Sequence, residues 1–538
     1  MRSHSLATAL ALGALLLGPR VARAEPLVSL TQPGPWSGVS GLIGYGARLW
    51  FVNSVKLADH NSADVWSYDP AAGEARYERH LFSQDAGDPA VAGGLLYWPF
   101  ANGRFSTGHG EYLVTNGREW QWCVLPAGEV FHVHAMAANG GALYAATSAW
   151  HAGLQRSDDE GATWQAIYDH PMPPRRVSRI TTFAALDGAL YAGLTTYGRI
   201  GVSLLKVADD TLRPTTGWPW GESVTTLAAY RGWLYGVNRN GDESAVWRTR
   251  GTAAERVTAL DGEPIRALAA GPDALWAIGA RQGRGTLWRS PDGVTWRAAQ
   301  RFPSAEPLAL AVYAGRVYVG TRGPGERGTL WGPRPPAPVD PPVPPRPLPP
   351  LPHRLAPAVD DALAVLDRVL KDPTSYEGSA ARLRAAVAPL ALNGLAEVGP
   401  TLVQRLGGPF PDAQVRLFGG ALTAPAAKVA RWYLLWAIAL GGRERIPPAL
   451  LAEPWTARPN RAEKYVEAAP GAAWAVAQLG QADEETLAAL VARLDVADQP
   501  LWLVGDFVGA LTALTGQRFG YDVAAWQRWW SGRQSAGR

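Results

Sequence analysis

Seven times before Pro333 the chain repeats one phrase: an apolar run, a tight turn, a bulky residue beside an aromatic, then small residues. Clear copies are "GLIGYGARLWFVN", "HAMAANGGALYAATS", "TTFAALDGALYAGLTT" and "TTLAAYRGWLYGVNR". Aligned on the aromatic, the copies fall at Trp50, Tyr97, Tyr144, Tyr191, Tyr235, Trp276 and Tyr318, with successive gaps of 47, 47, 47, 44, 41 and 42 residues. A fixed period of this size restricts a chain to stacked or ring-shaped repeat architectures.

Each phrase reads as two short strands around a turn, because Asp187-Gly188 and Asn139-Gly140-Gly141 are hairpin chemistry between β-rich runs. A second pair follows, as in "DVWSYDPAAGEARYERHLF" and "TLWRSPDGVTWRAAQRF". Four strands in about 45 residues is the period of a propeller blade, and seven copies suit a closed ring. Helical solenoids share the period, but Val, Thr and aromatics with period-two patterning select strands. The seventh copy ends at "GTLWGPRP" without an outermost strand, while "EPLVSLTQ" (residues 25–32) is a lone strand before the first copy. That segment is expected to fill the last blade and remove an exposed edge.

"GPRPPAPVDPPVPPRPLPPLP" (residues 332–352) has Pro at 12 of 21 positions. It is expected to be a polyproline II spacer of roughly 60 Å. Beyond it the period becomes helical: "AVDDALAVLDRVLK" puts Val359, Leu363, Leu366 and Leu370 on one face. Seven to nine helices are expected. The tail "LTGQRFGYDVAAWQRWW" resembles the end of HEAT-type repeat domains, with Asp522 capping a helix whose Trp526, Trp529 and Trp530 pack inward. The expected fold is multidomain, all-β plus all-α: a seven-bladed β-propeller (25–334), a Pro-rich linker (335–353) and an α-helical, HEAT-like or α-solenoid domain (354–538).

Residues 1–24 read as a signal peptide: Arg2, the apolar run Leu6 to Leu17, and Ala22-Arg23-Ala24 as cleavage site. The expected location is periplasmic or extracellular. Cys123 is the single cysteine, so no intramolecular disulfide forms. A net charge of +4 with no basic run argues against a nucleic-acid partner, and no other segment is apolar enough to span a membrane. A monomer is expected.

"SDDEGATW" resembles the Asp-box (BNR repeat) of sialidase-type propellers, S-x-D-x-G-x-T-W, at Ser157, Asp159, Gly161, Thr163 and Trp164. "SPDGVTW" matches it one residue shorter, at Ser290, Asp292, Gly293, Thr295 and Trp296. The resemblance implies peripheral turns, so Asp158, Asp159 and Glu160 read as turn residues. Physical chemistry agrees: an Asp carboxylate collects N–H groups across the turn, Gly takes positive φ and Trp packs between sheets. Sialidases also carry three arginines, a Tyr–Glu pair, an Asp and an R-I-P motif before the first box. Here Arg179-Ile180-Thr181 lacks the proline and follows the first box, so no catalytic residue is assigned.

Twelve residues before each anchor, near the expected channel mouth, stand Gly38, Asp85, His132, Arg179, Ser223, Pro264 and Glu306. Asp85, His132, Arg179, Ser223 and Glu306, with His134, are the candidate ligand-binding residues. They suit a small polar molecule or a peptide tip, or else simply line a solvated channel. His132 and His134 share one strand face and would need His109, His151 or Asp85 to complete a zinc site, which no spacing fixes. Metal ligands and cofactors are therefore assigned as none. Asn238 to Ser244 ("NRNGDES") reads as a polar turn, since it lacks calcium-loop spacing. Trp66, Trp247, Trp288 and Trp331 recur at one blade position and are assigned to packing, whereas Trp150, Trp218 and Trp220 are candidates for stacking on sugars. The function expected is a non-catalytic binding or scaffold protein with a protein or glycan ligand; the alternative is a sialidase-like or other propeller glycoside hydrolase or lyase.

Overall fold

In a computed structural model the protein is described at residues 25–54, 63–101, 110–125, 130, 132–170, 177–208, 211–323, 327–336, 345–349, 359–376, 381–392, 398–417, 422–441, 444–453, 467–495 and 499–536. Residues 1–24, where a signal peptide is expected, His109, His353 and most of the expected linker lie outside these residues.

The β part is a series of four-stranded antiparallel units in chain order, spanning residues 38–80, 90–124, 132–169, 178–214, 223–256 and 265–302. Three strands at 306–332 form a further unit, completed by Val28–Thr31, which pairs with Thr329–Gly332 (Val28↔Gly332, Ser29↔Trp331). The segment expected to fill that unit does so, 304 residues (332 − 28) from its partner.

Local chemistry explains the hairpins. Their turns put one residue at φ near 50° and then glycine at φ near 72–77°, as at Asp187-Gly188 and Arg231-Gly232. This is the backbone that matches strand twist, and glycine is the residue that enters it without strain. Second strands such as Ala142–Ser148 and Leu95–Pro99 are buried at every residue, because both of their faces are covered.

Buried clusters join successive units. Ala135, Tyr144 and Leu154 pack with Ile180, Leu190 and Leu205; Tyr235 and Val246 pack with Leu268 and Leu275. Val39, Phe51 and Tyr68 of the 38–80 unit pack with Tyr313 and Tyr318 of the 306–332 unit, so the contacts return to their start. The first strands of neighbouring units touch, and Tyr45 Oη donates to Gly94 O (2.8 Å) between the first two units. The sheets are thus curled in a propeller-like arrangement.

Eight α-helices follow among the described residues: α1 (Val359–Lys371), α2 (Ala381–Leu392), α3 (Gly399–Arg405), α4 (Ala426–Gly441), α5 (Ala468–Leu479), α6 (Glu484–Leu494), α7 (Leu501–Thr515) and α8 (Val523–Ala536). None is long and apolar enough to cross a membrane. Asp522 accepts from Ala525 N (2.9 Å) at the start of α8, and of the three tryptophans expected to pack inward Trp526 and Trp530 are buried while Trp529 is half-buried. The all-α expectation needs one correction: Gln414–Leu417 and Leu422–Pro425 form a hairpin, in which Val415 and Ala424 alternate inward.

A second correction concerns the spacer. Residues 345–349 lie on the β part. Arg346 clamps Glu160 with two bonds (2.7 and 2.8 Å) and also reaches Gly93 O; Asn116 and Gln121 donate to the carbonyls of Arg346 and Pro349 (2.9 Å each). Leu348 packs into the cluster of Leu95, Tyr97 and Val133. These contacts outweigh the stiffness that would hold a polyproline rod away from the protein.

The helices are therefore docked. Trp474 of α5 meets Trp122 edge-on at 5.3 Å, within one apolar cluster that joins the helices to the first two units. At Gly509 of α7 an added Cβ would lie 2.5 Å from the His80 Cβ, so the helix comes that close only with glycine there. His80 bridges Asp64 (Nδ1, 2.9 Å) and Asp506 (Nε2, 3.1 Å), and Asp64 also accepts from Tyr521 Oη (2.8 Å) and Trp36 Nε1 (2.7 Å). Burial opposes charge on His80, but the bonds and fields of Asp506 and Asp64 prevail and its pKa is raised. Arg518 pairs with Glu78 across the same boundary.

Candidate functional site

Register fixes which end of the sheets carries the candidates. Gly38, His132, Ser223 and Glu306 are the first residues of their strands, Arg179 is the second of Ser178–Leu186, and Pro264 immediately precedes Ile265–Ala270. Six of the seven sequence-derived positions therefore sit at the start of a first strand. Asp85 does not: its unit begins at Ala90, and it is buried in the irregular stretch before it, accepting from Ser54 Oγ (2.9 Å) and Ala86 N (3.0 Å).

The structure brings His132, His134 and Arg179 together. The two imidazoles are 5.1 Å apart. His132 Nδ1 bonds to Ala101 O, His134 Nε2 to Ser148 Oγ (2.8 Å), and Arg179 donates to Trp150 O (2.9 Å) and Ser178 O (2.8 Å). Burial, with the Arg179 charge, lowers the His132 pKa to about 4; burial, His132 and Arg179 lower that of His134 well below normal. Both are neutral rings tied to the fold. Glu306 stands apart between Arg266 and Arg322 (3.8 Å), and Ser223 is buried, paired with Thr195 and Arg239 in the sheet. Among the described residues no three His, Cys, Asp or Glu gather as a metal site would require.

Both box-like segments form turns at the opposite, third-to-fourth-strand connection. Asp159 accepts from Ser157 Oγ (2.8 Å), Thr163 N (2.8 Å) and Thr163 Oγ1 (2.6 Å), while Gly161, at φ 96°, donates to Ser157 Oγ (2.8 Å). Trp164 Nε1 donates to Gly161 O (3.1 Å). Asp292 repeats this with Ser290 Oγ (2.9 Å), Val294 N (2.8 Å) and Thr295 N (2.7 Å), and Ser290 accepts from Gly293 N (2.7 Å). Trp296 is part-buried against the cluster around Tyr235. Burial alone would raise these carboxyls, but the donors outweigh it and both are lowered. These acids are occupied in holding turns.

What sequence reasoning underweighted is exposed apolar surface at the candidate end. Trp150, Tyr197, Ile200 and Trp220 are 60, 54, 60 and 70% exposed, on loops of three successive units. Hydrogen bonds tie their loops together: the Arg179 guanidinium and Ser178 N donate to Trp150 O, and Gly201 and Gly221 pair both ways (3.0 and 2.9 Å) between Ile200 and Trp220. Trp218, a sugar-stacking candidate, is instead core, packed under Leu227 and Leu234. Beside Trp220 lies a groove of about 560 Å3 whose lining includes Asn238, Asn240, Asp242, Glu243, Trp247 and Arg281.

No family model and no curated protein matches the chain. Solved structures with similar strand arrangement include YCF48 bound to D1 peptide (15% identity, 60% of this chain and 99% of that one, TM-score 0.42). Others are the GH74 enzyme of Niastella koreensis (14%, 55% and 52%, 0.41) and the β-propeller domain of the Trilobed protease of Pyrococcus furiosus (10%, 55% and 93%, 0.38). They include a binding protein and a glycoside hydrolase, and identities this low carry no function across.

Proposed function

We propose that the protein is an exported, monomeric, non-catalytic binding protein. In this reading residues 1–24 are a leader and residues 25–334 a seven-bladed, Asp-box propeller. The linker at 335–353 straps a HEAT-like domain at 354–538 onto it, and recognition of a protein or glycan takes place on the end that carries His132, Arg179 and Ser223. One observation supports this above the rest: four large apolar side chains stand more than half exposed on tied loops of adjacent units. Exposed aromatics beside arginine are what binding surfaces concentrate, and a chain with no ligand would gain by burying them. The hydrolase alternative needs a nucleophile with a base in reach. It draws no support from Glu306 held by two arginines, or from histidines bonded to Ala101 and Ser148.

The test is a screen of peptides and glycans for thermal stabilisation of the full-length mature chain and of a Trp150→Ala/Tyr197→Ala/Trp220→Ala variant, since a ligand of the folded state must raise Tm. Ligands that stabilise only the parent support the reading. Ligands that stabilise both equally overturn it.

A further inference from the structure

The loop that carries Trp220 is built rigidly although its side chain is not covered. The Asn238 amide donates to Pro219 O (3.3 Å) and Trp220 O (3.2 Å), and its oxygen accepts from Ser203 Oγ (3.0 Å). Gly221 leaves no room for a Cβ, which would fall 2.0 Å from Asn238 Oδ1. The indole is thus 70% exposed on a main chain fixed from three sides. Ordering such a loop on binding costs little entropy, because its main chain is already fixed.

The groove beside it combines two kinds of surface. Trp220 and Trp247 supply aromatic faces; Asn240 and the exposed carboxylates of Asp242 and Glu243 supply polar edges. Its arginines are engaged, Arg256 with Asp261 (3.0 Å) and Arg281 with Gly262 O, so the lining is not a cationic anion trap. Nor is it a strand-addition site, because the main-chain groups around Trp220 are already bonded to Gly201 and Asn238. Carboxylates and amides around an aromatic face match a sugar ring, whose C–H face is apolar and whose rim hydroxyls donate and accept. A volume near 560 Å3 lies within the range of small-ligand sites.

We propose that this groove is a carbohydrate subsite, in which a sugar ring stacks on Trp220 and its hydroxyls bond to Asp242, Glu243 and Asn240. It rests on the binding reading above and names the ligand class for one part of that face.

The experiment is calorimetric titration of the full-length mature chain with tetrasaccharides of β-1,4-linked glucose, N-acetylglucosamine and mannose, and with trilysine. The expected result is saturable binding of at least one tetrasaccharide, weakened about tenfold or more by Trp220→Ala and by Asp242→Asn. Val294→Ala, an exposed substitution on the opposite end of the sheets, should change it less than about twofold. Near-ultraviolet circular dichroism checks that each variant is folded. Saccharide binding that survives Trp220→Ala overturns the subsite while leaving a ligand on the wider face, and binding that falls equally with Val294→Ala overturns it too. Binding of trilysine alone overturns it in favour of a cationic peptide. No binding of any probe at 10 mM overturns it outright, and the wider reading then stands or falls on the thermal screen.

Discussion

At the 38–80 and 90–124 units the sheet ends bearing His80, Glu111 and Trp122 are sealed beneath the helices, whereas in the next three units the same ends stand open with Trp150, Tyr197, Ile200 and Trp220 on their loops. The comparison is sharpest between two histidines. His80 lies between two carboxylates and is held toward its charged form; His132 is held neutral by burial and by the charge of Arg179. Glu111, buried near Trp436 of α4, is pushed well above the usual carboxylate range by desolvation. One repeat therefore supplies either docking surface or open surface, and what covers its end decides which.

The largest expected effect comes from removing the cover. A chain ending at residue 336 exposes Trp122 and its apolar neighbours and leaves Asp64 and His80 without Asp506 and Tyr521. It should aggregate rather than run as a monomer in size-exclusion chromatography; a soluble, cooperatively melting fragment would break the comparison. Next, Trp122→Ala should lose about 3–5 kcal/mol in urea unfolding, as deletion of a buried Trp does. Trp220→Ala should stay within about 0.5 kcal/mol, as exposed substitutions do.

The histidines should then give opposite pH slopes. With its folded pKa near 4 and an unfolded value near 6.5, His132 contributes stability that is present above about pH 6.5 and lost as pH falls toward 4, about 3 kcal/mol in all. His132→Asn should flatten that limb. His80, with a raised folded pKa, contributes stability that is complete below about pH 6.5 and is lost as pH rises through the raised value. His80→Gln should remove the alkaline loss; slopes of the same sign would show that the two environments have been misread. A modest effect belongs to the strap, where Arg346→Ala at a part-exposed pair should cost only about 0.5–1 kcal/mol.

Much of the β part was legible because its period is written in turns and aromatics. Anchoring on Tyr144 or Tyr318 and counting back twelve residues lands on His132 and Glu306, each the first residue of a strand. Asp85 slipped because residues 81–89 are irregular and no pattern marks that. The docked helices were not legible, since His80 meets Asp506 across 426 positions of sequence. One signal existed: Asp506 interrupts the apolar run "LWLVGDFVGALTAL", and a carboxylate on a buried helix requires a partner. Trp218 and Trp220 show the limit of composition: two residues apart in one irregular stretch, one fills the core and the other faces water.

The pairing of Val28–Thr31 with Thr329–Gly332 also sets an order of events. A ribosome releases the first of these strands some 300 residues before the second, so a strand made early waits for a partner made late. Closing so long a loop is entropically costly and slow. Until it closes, the 306–332 unit presents an unpaired edge, so the vulnerable interval for this fold runs from synthesis of Gly332 to capture of Val28–Thr31.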